Sequence, residues 1–212
     1  MSDGGSCPRL VAVAAAVAAA SLLACSNGWL SVSAPTAGFW FERGPFVMPA
    51  DPTFGGPLHN EEMETIERLA RAEIARAFSG LRVTVTSEPN AFWRVQVVTS
   101  LAKEHVLPMA GESLPLGLLG GTGAVAFDMV AYHAVRYAPP GASRQRVIEA
   151  IGRGVGRVAV HEFMHQMLGA AAVHNVADEN SYEYGRPDRP SQYYGELHWT
   201  TAWPLLQRQF GT

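Results

Sequence analysis

An α+β fold is predicted by three observations: two long amphipathic helical stretches at about 60–78 and 143–168, short β-type runs between them, and no internal repeat. With 212 residues, 48% of them hydrophobic and 17% charged, the chain suits one globular domain with a sizeable core and not a disordered or fibrous protein. Lys+Arg total 16 against 19 Asp+Glu, so the basic footprint that nucleic-acid binding needs is missing.

The first 25 residues stand apart. Arg9 precedes the run "LVAVAAAVAAASLLAC", too short and alanine-rich for a comfortable membrane span but suited to the apolar core of a secretory signal. Leu22-Leu23-Ala24-Cys25 resembles a bacterial lipobox, which implies cleavage before Cys25, a lipid anchor on its thiol and, with Ser26 following, an outer-membrane destination. The expectation is an exported chain facing the periplasm or outer membrane, or otherwise secreted, whose only membrane contact is that anchor. Cys7 and Cys25 are the only cysteines, so the mature domain has no disulfide, thiolate metal site or thiol nucleophile.

Residues 26–58 are rich in Gly, Pro, Ser and aromatics, and read as a tether and irregular arm with a short strand around Phe39 to Phe41. The first helix follows. Asn60 is its expected cap, Glu61 and Glu62 favour the positive end of its dipole, Met63, Ile66, Ala70, Ile74 and Ala77 share one face, and Ser79-Gly80 ends it. The alternating runs 81–86 and 92–99, separated by "SEPN", read as neighbouring strands. A loop over 107–123 leads to a third strand-like run, 124–137; its glycines lack the Gly-Lys-Ser/Thr of a phosphate cradle.

Ser143 caps the second helix, which runs to about Leu168. Val147, Ile148, Ile151, Val155, Val158 and Val160 form its apolar side, Gly152, Gly154 and Gly156 allow close approach to a sheet, and Gly169 stops it. The remainder is polar, aromatic and loop-like until a short helix, "TAWPLLQRQF", with Pro204 in its first turn. Residues 59–212 are thus expected to be a single domain.

The chemistry concentrates at the end of the second helix, in "VAVHEFMHQMLG". Residues i and i+4 lie one turn apart on one helix face, so His161 and His165 can point their imidazoles at one ion. Glu162, one position round, falls beside that line, placed to take a proton from a metal-activated water. Zinc suits two imidazoles and a third N/O ligand, and lowers the pKa of its water to about 7. The third ligand is expected to be His174, thirteen residues past His161 and beyond the turn at Gly169; Asp178, Glu179, Glu183 and His198 are alternatives. His59, His105 and His133 are isolated and read as surface or satisfied polar residues.

On these residues the chain resembles the zincin metallopeptidases, and within them the metzincins, whose motif is His-Glu-x-x-His-x-x-Gly-x-x-His. His161, Glu162 and His165 match in type and spacing; Gly169 is one place late and His174 three places late. The resemblance implies a small mixed sheet packed on two long helices, the second of them the active-site helix, and an irregular C-terminal part. It implies an edge strand pairing with extended substrate, somewhere in 124–132. It also implies a turn beneath the metal where "DENSYEYG" lies; no methionine is there, Met167 being the last in the chain, so Ser181 with Tyr182 or Tyr184 would stand in. Otherwise these tyrosines pack a loop.

The resulting expectation is an exported zinc metallopeptidase acting on proteins or peptides, with Glu162 as general base and His161, His165 and His174 on one zinc. Two alternatives have different chemistry: a structural zinc site with four closed ligands, and a non-enzymatic envelope lipoprotein binding a partner or carbohydrate through Tyr193, Tyr194 and Trp199.

Overall fold

The structure is a computed structural model that describes residues 34–101 and 110–212. The expected signal segment and lipobox, both cysteines, the start of the tether and His105 lie outside the described residues. Among those described, no helix is long and apolar enough to cross a membrane.

The fold is mixed α+β. Strand β1 (Thr36–Phe41), helix α1 (Asn60–Ala77) and strands β2 (Thr84–Thr86), β3 (Trp93–Val98), β4 (Gly111–Pro115) and β5 (Gly121–Ala126) come first. They are followed by helices α2 (Phe127–Arg136), α3 (Arg144–Leu168), α4 (Ser191–Tyr194) and α5 (Ala202–Phe210). The five strands form one sheet in the order β2-β1-β3-β5-β4; β4 runs antiparallel to β5 and every other pair is parallel.

Alternation drives the central strand. Trp93, Val95 and Val97 of β3 are buried, and Arg94, Gln96 and Val98 between them only partly so. Phe39 of β1 joins that layer with Ile66 and Ile74 of α1 and Ile148, Ile151 and Val155 of α3, all fully buried in one core. Fully burying side chains of this size contributes roughly 1.5–3 kcal/mol each.

Several expectations are corrected. The first helix is capped by His59, not Asn60, and the backbone N–H of His59 donates to Glu62 Oε2 at 2.9 Å. Strands β2 and β3 are not neighbours: β1, supplied by the arm, lies between them. The run 124–137 is not one strand. It is the end of β5 followed by α2, where Phe127, Val130, Ala131 and Ala134 bury a face at helical spacing. The loop expected over 107–123 contains β4, and β4 rather than 124–132 is the edge strand beside α3. Finally, the glycines of α3 do not face the sheet. A Cβ at Gly156 would come within 2.6 Å of Ala70 O and one at Gly152 within 3.0 Å of Ile66 O, so both allow α3 to lie directly on α1; Gly154 makes room for the ring of Tyr193.

Helix α4 lies in a stretch expected to be loop-like, whereas the ends of α3 and the position of α5 fall as expected. Ser143 caps α3 by accepting from Arg146 N, Gly169 ends it at φ +53°, and α5 includes Pro204 near its start.

Candidate metal centre

Gly169 turns the chain so that His174 returns over the last turns of α3. The Nε2 atoms of His161 and His165 are 3.2 Å apart, and that of His174 lies 3.1 Å from the first and 3.0 Å from the second. Three imidazole nitrogens converging on one point are poor partners for each other and good ligands for a cation. In a tetrahedral site with Zn–N of about 2.05 Å, ligand nitrogens stand roughly 3.3 Å apart, so this triangle fits zinc after a small expansion. Among the described residues the group holds only these three potential ligands.

The ring of His161 is held from behind. Its Nδ1 is 2.7 Å from the carbonyl oxygen of Tyr182, so Nδ1–H donates and Nε2 is left with a lone pair toward the centre. Burial pushes the His161 imidazole down to about 3, overriding the Tyr182 bond that favours its charged form, and burial likewise depresses His165. Both rings are therefore neutral, the form a metal requires.

Glu162 is 5% exposed on the same turn of helix. Burial, with nearby Glu112 adding like-charge repulsion, pushes its carboxyl up to about 8. It packs against Gly111 at the start of β4, and this contact depends on glycine. A Cβ at position 111 would meet Val158 Cγ1 at 2.7 Å and the Glu162 carboxylate closer still. Ser113 Oγ donates to the main-chain oxygen of Glu162 at 3.1 Å, and the side-chain amide of Gln166 bonds both the N–H and the C=O of Arg94, each at 3.0 Å. These bonds lock α3 onto β4 and β3.

Tyr182 is positioned by a buried ionic network. Its hydroxyl donates to Glu73 Oε1 at 2.8 Å; Arg157 Nε reaches the same oxygen at 3.0 Å and Arg76 Nη2 at 2.6 Å. Arg157 also donates to the carbonyls of Ser191, Gln192 and Gly195. Burial opposes ionisation of Glu73, but Arg157, Arg76 and the Tyr182 hydroxyl outweigh it and hold the carboxyl below its ordinary value. Tyr182 thus offers its carbonyl, and not its hydroxyl, to the histidine centre, while Tyr184 lines the adjacent cavity.

The alternative third ligands lie elsewhere. The Glu183 carboxylate accepts from the backbone N–H groups of Thr200, Thr201 and Ala202 and from both threonine hydroxyls, which fixes the start of α5. Asp178 pairs with His198 at 2.9 Å, and Glu179 is exposed outside the group. Of the rings considered as partner contacts, Tyr193 is fully buried, while Tyr194 and Trp199 are half-buried with their polar tips on the carbonyls of Ala134 and Ala77. His133 is not a surface residue: it is 9% exposed and its Nδ1 has no hydrogen-bond partner.

The centre opens on a cavity of about 910 Å³. Gly111, Glu112 and Ser113 of β4 line it, as do the segment Tyr184 to Asp188 and, from α2, Met129 and His133.

No protein family matches the chain, and neither does any curated protein. Among solved structures, one described as "GM1 bound form of the ECX AB5 holotoxin" is similar at 15% identity with a TM-score of 0.41, over 81% of this chain and 76% of that one.

Proposed function

We propose that this protein is an exported zinc-dependent metallopeptidase of the metzincin-like zincin type. The observation that carries the reading is the convergence of three imidazole nitrogens within 3.0–3.2 Å of each other beside a buried glutamate. His161, His165 and His174 would hold one zinc, which when bound polarises a carbonyl and acidifies water.

The chain's own groups supply the rest. Glu162, with its carboxyl already raised and shielded from bulk water, takes the proton of the attacking water and hands it to the departing amine. Strand β4 is the last strand of the described sheet, and its residues 111–113 line the cavity, so an extended peptide is offered a strand edge directly beside Glu162. The lipobox-like end of residues 1–25 belongs to the same proposal and would place this activity outside the cytoplasm, at the periplasm or outer membrane.

A closed structural zinc is less well supported, because among the described residues no fourth ligand joins the three histidines. The test is proteolysis of an unfolded protein substrate by the purified protein. Cleavage should stop with a chelator and return with zinc; a zinc-loaded protein that cleaves no peptide bond would contradict the reading.

A further inference from the structure

We propose that an apolar tip formed by Phe92, Leu114, Leu116 and Leu119 docks into a lipid surface; this rests on the lipid-anchored part of the proposed function and names the face turned to the membrane. The tip follows from the register of the sheet. Ala37, Trp93, Gly121 and Pro115 pair across β1, β3, β5 and β4 in one row. Because β4 runs against its neighbour, its last residue meets the first residue of β5. The next row outward is Thr36, Phe92, Gly120 and Leu116, and hydrogen bonds hold it together. Leu116 N–H donates to Gly120 O at 2.8 Å, Gly121 N–H to Phe92 O at 3.1 Å, and Phe92 N–H to Thr36 Oγ1 at 3.2 Å.

The side chains collected at this end are apolar and exposed. Leu119 is 78% exposed and Leu114 58%, with Phe92 and Leu116 beside them. Four of the eight exposed large hydrophobics among the described residues therefore stand together, unlike the single scattered ones normal on a protein surface. Gly120, at φ +87°, lies against Phe92, where a Cβ would strike the Phe92 carbonyl, so the turn stays packed on that ring only with glycine. Residues 114–121 contain no polar side chain, and none from Ser113 to Phe127 is charged. A protein partner meets a polar rim with hydrogen bonds; a run of this composition suits lipid better.

The entry point of the chain favours the same occupant. Strand β1 begins in the row of Phe92 and Leu116, so the segment following Cys25 enters the fold beside the tip. Cys25 precedes Thr36 by 11 residues, at most about 40 Å of extended chain, and a lipid on Cys25 keeps the tip within that reach of the bilayer. Tethering at such range supplies an effective concentration of about millimolar, enough for a patch of four side chains whose own affinity is weak.

The test inserts an environment-sensitive fluorescent amino acid genetically in the full chain, in place of Leu119 or, as a control, of Arg43, which is exposed beyond the opposite end of β1. The exported protein is mixed with phosphatidylcholine vesicles. Emission at 119 should shift to the blue on vesicle binding and emission at 43 should not; Leu116→Glu should abolish the shift and leave zinc content unchanged. An unshifted signal at 119 on vesicle-bound protein overturns the docking. So does a shift produced by an unfolded protein substrate without vesicles, which would make the tip a rim of the cleft. The anchor is read separately, from the mass of the N-terminal peptide: a shift at 119 with Cys25 unmodified keeps the tip and removes the anchor, and protein that does not bind the vesicles loses both. Peptide cleavage is not among these readouts, so its absence leaves the docking standing.

Discussion

The Nδ1 of His161 stands 2.7 Å from the carbonyl oxygen of Tyr182, and the hydroxyl of the same tyrosine stands 2.8 Å from Glu73. One residue therefore connects a candidate metal ligand to the buried ion pair between α1 and α3. A change at Glu73 should reach the metal through that connection.

Glu73→Gln leaves Arg157 buried without its counter-charge, at a cost of about 3–5 kcal/mol in stability. Tyr182→Phe removes one donor from Glu73 and should cost about 1–3 kcal/mol. Both should weaken zinc binding, by up to roughly tenfold to a hundredfold as for other groups that orient a ligand. Denaturant unfolding and a competitive zinc titration read the two effects separately.

Ligand identity is open to direct substitution. His161→Ala, His165→Ala and His174→Ala should each abolish stoichiometric zinc, while Asp178→Asn and His198→Ala should leave it, since those two residues pair with each other. Elemental analysis of dialysed protein distinguishes the sets. Zinc retained in His174→Ala and lost in His198→Ala would move the third ligand.

Gly111→Ala places a methyl between β4 and the side chains of Val158 and Glu162. Overpacking of this kind costs about 1–3 kcal/mol, and here it also displaces the proposed base. The expected result is a folded, zinc-binding protein with much reduced turnover, measured by circular dichroism, zinc content and peptide cleavage together. Unchanged turnover would show that the contact does not position Glu162.

Acid should destabilise the fold in a defined direction. Burial opposes ionisation of both Glu73 and Glu183, but their partners outweigh it: Arg157, Arg76 and Tyr182 for the first, the donors of residues 200–202 for the second. A carboxyl held low in the folded state stabilises above its ordinary value, near 4.3, and loses that contribution as pH falls through the folded value. Melting temperature should therefore drop as pH is lowered from 5 toward 3. In Glu183→Gln it should start lower at pH 7 and fall less steeply.

Local chemistry was legible in the sequence. The pair His161 and His165 with Glu162 needs only helical spacing, and His174 follows one glycine turn later, so these candidates could be named without tertiary information, while the choice of His174 over Asp178, Glu179, Glu183 and His198 as the third member of the group could not. Elements that depend on distant partners were not. "AVAFDMVAYHAV" satisfies both strand and helix patterns, and only its register with β3 and its packing on α3 separate β5 from α2. Strand β4 is short, contains glycine and proline, and acquires its meaning from Gly111 meeting Glu162. The position of β1 between β2 and β3, the Glu73–Arg157 pair 84 residues apart and the orphan Nδ1 of His133 have no local signal at all.

The central claim is that a zinc held by His161, His165 and His174 acts with Glu162 as base. It is tested most directly by zinc content and peptide hydrolysis measured on the same preparations of unmodified and Glu162→Gln protein. The account predicts about one zinc per chain in both, and a loss of about 10²–10⁴-fold or more in hydrolysis for the variant. Absence of zinc from the unmodified protein, or hydrolysis undiminished in the variant, would contradict it.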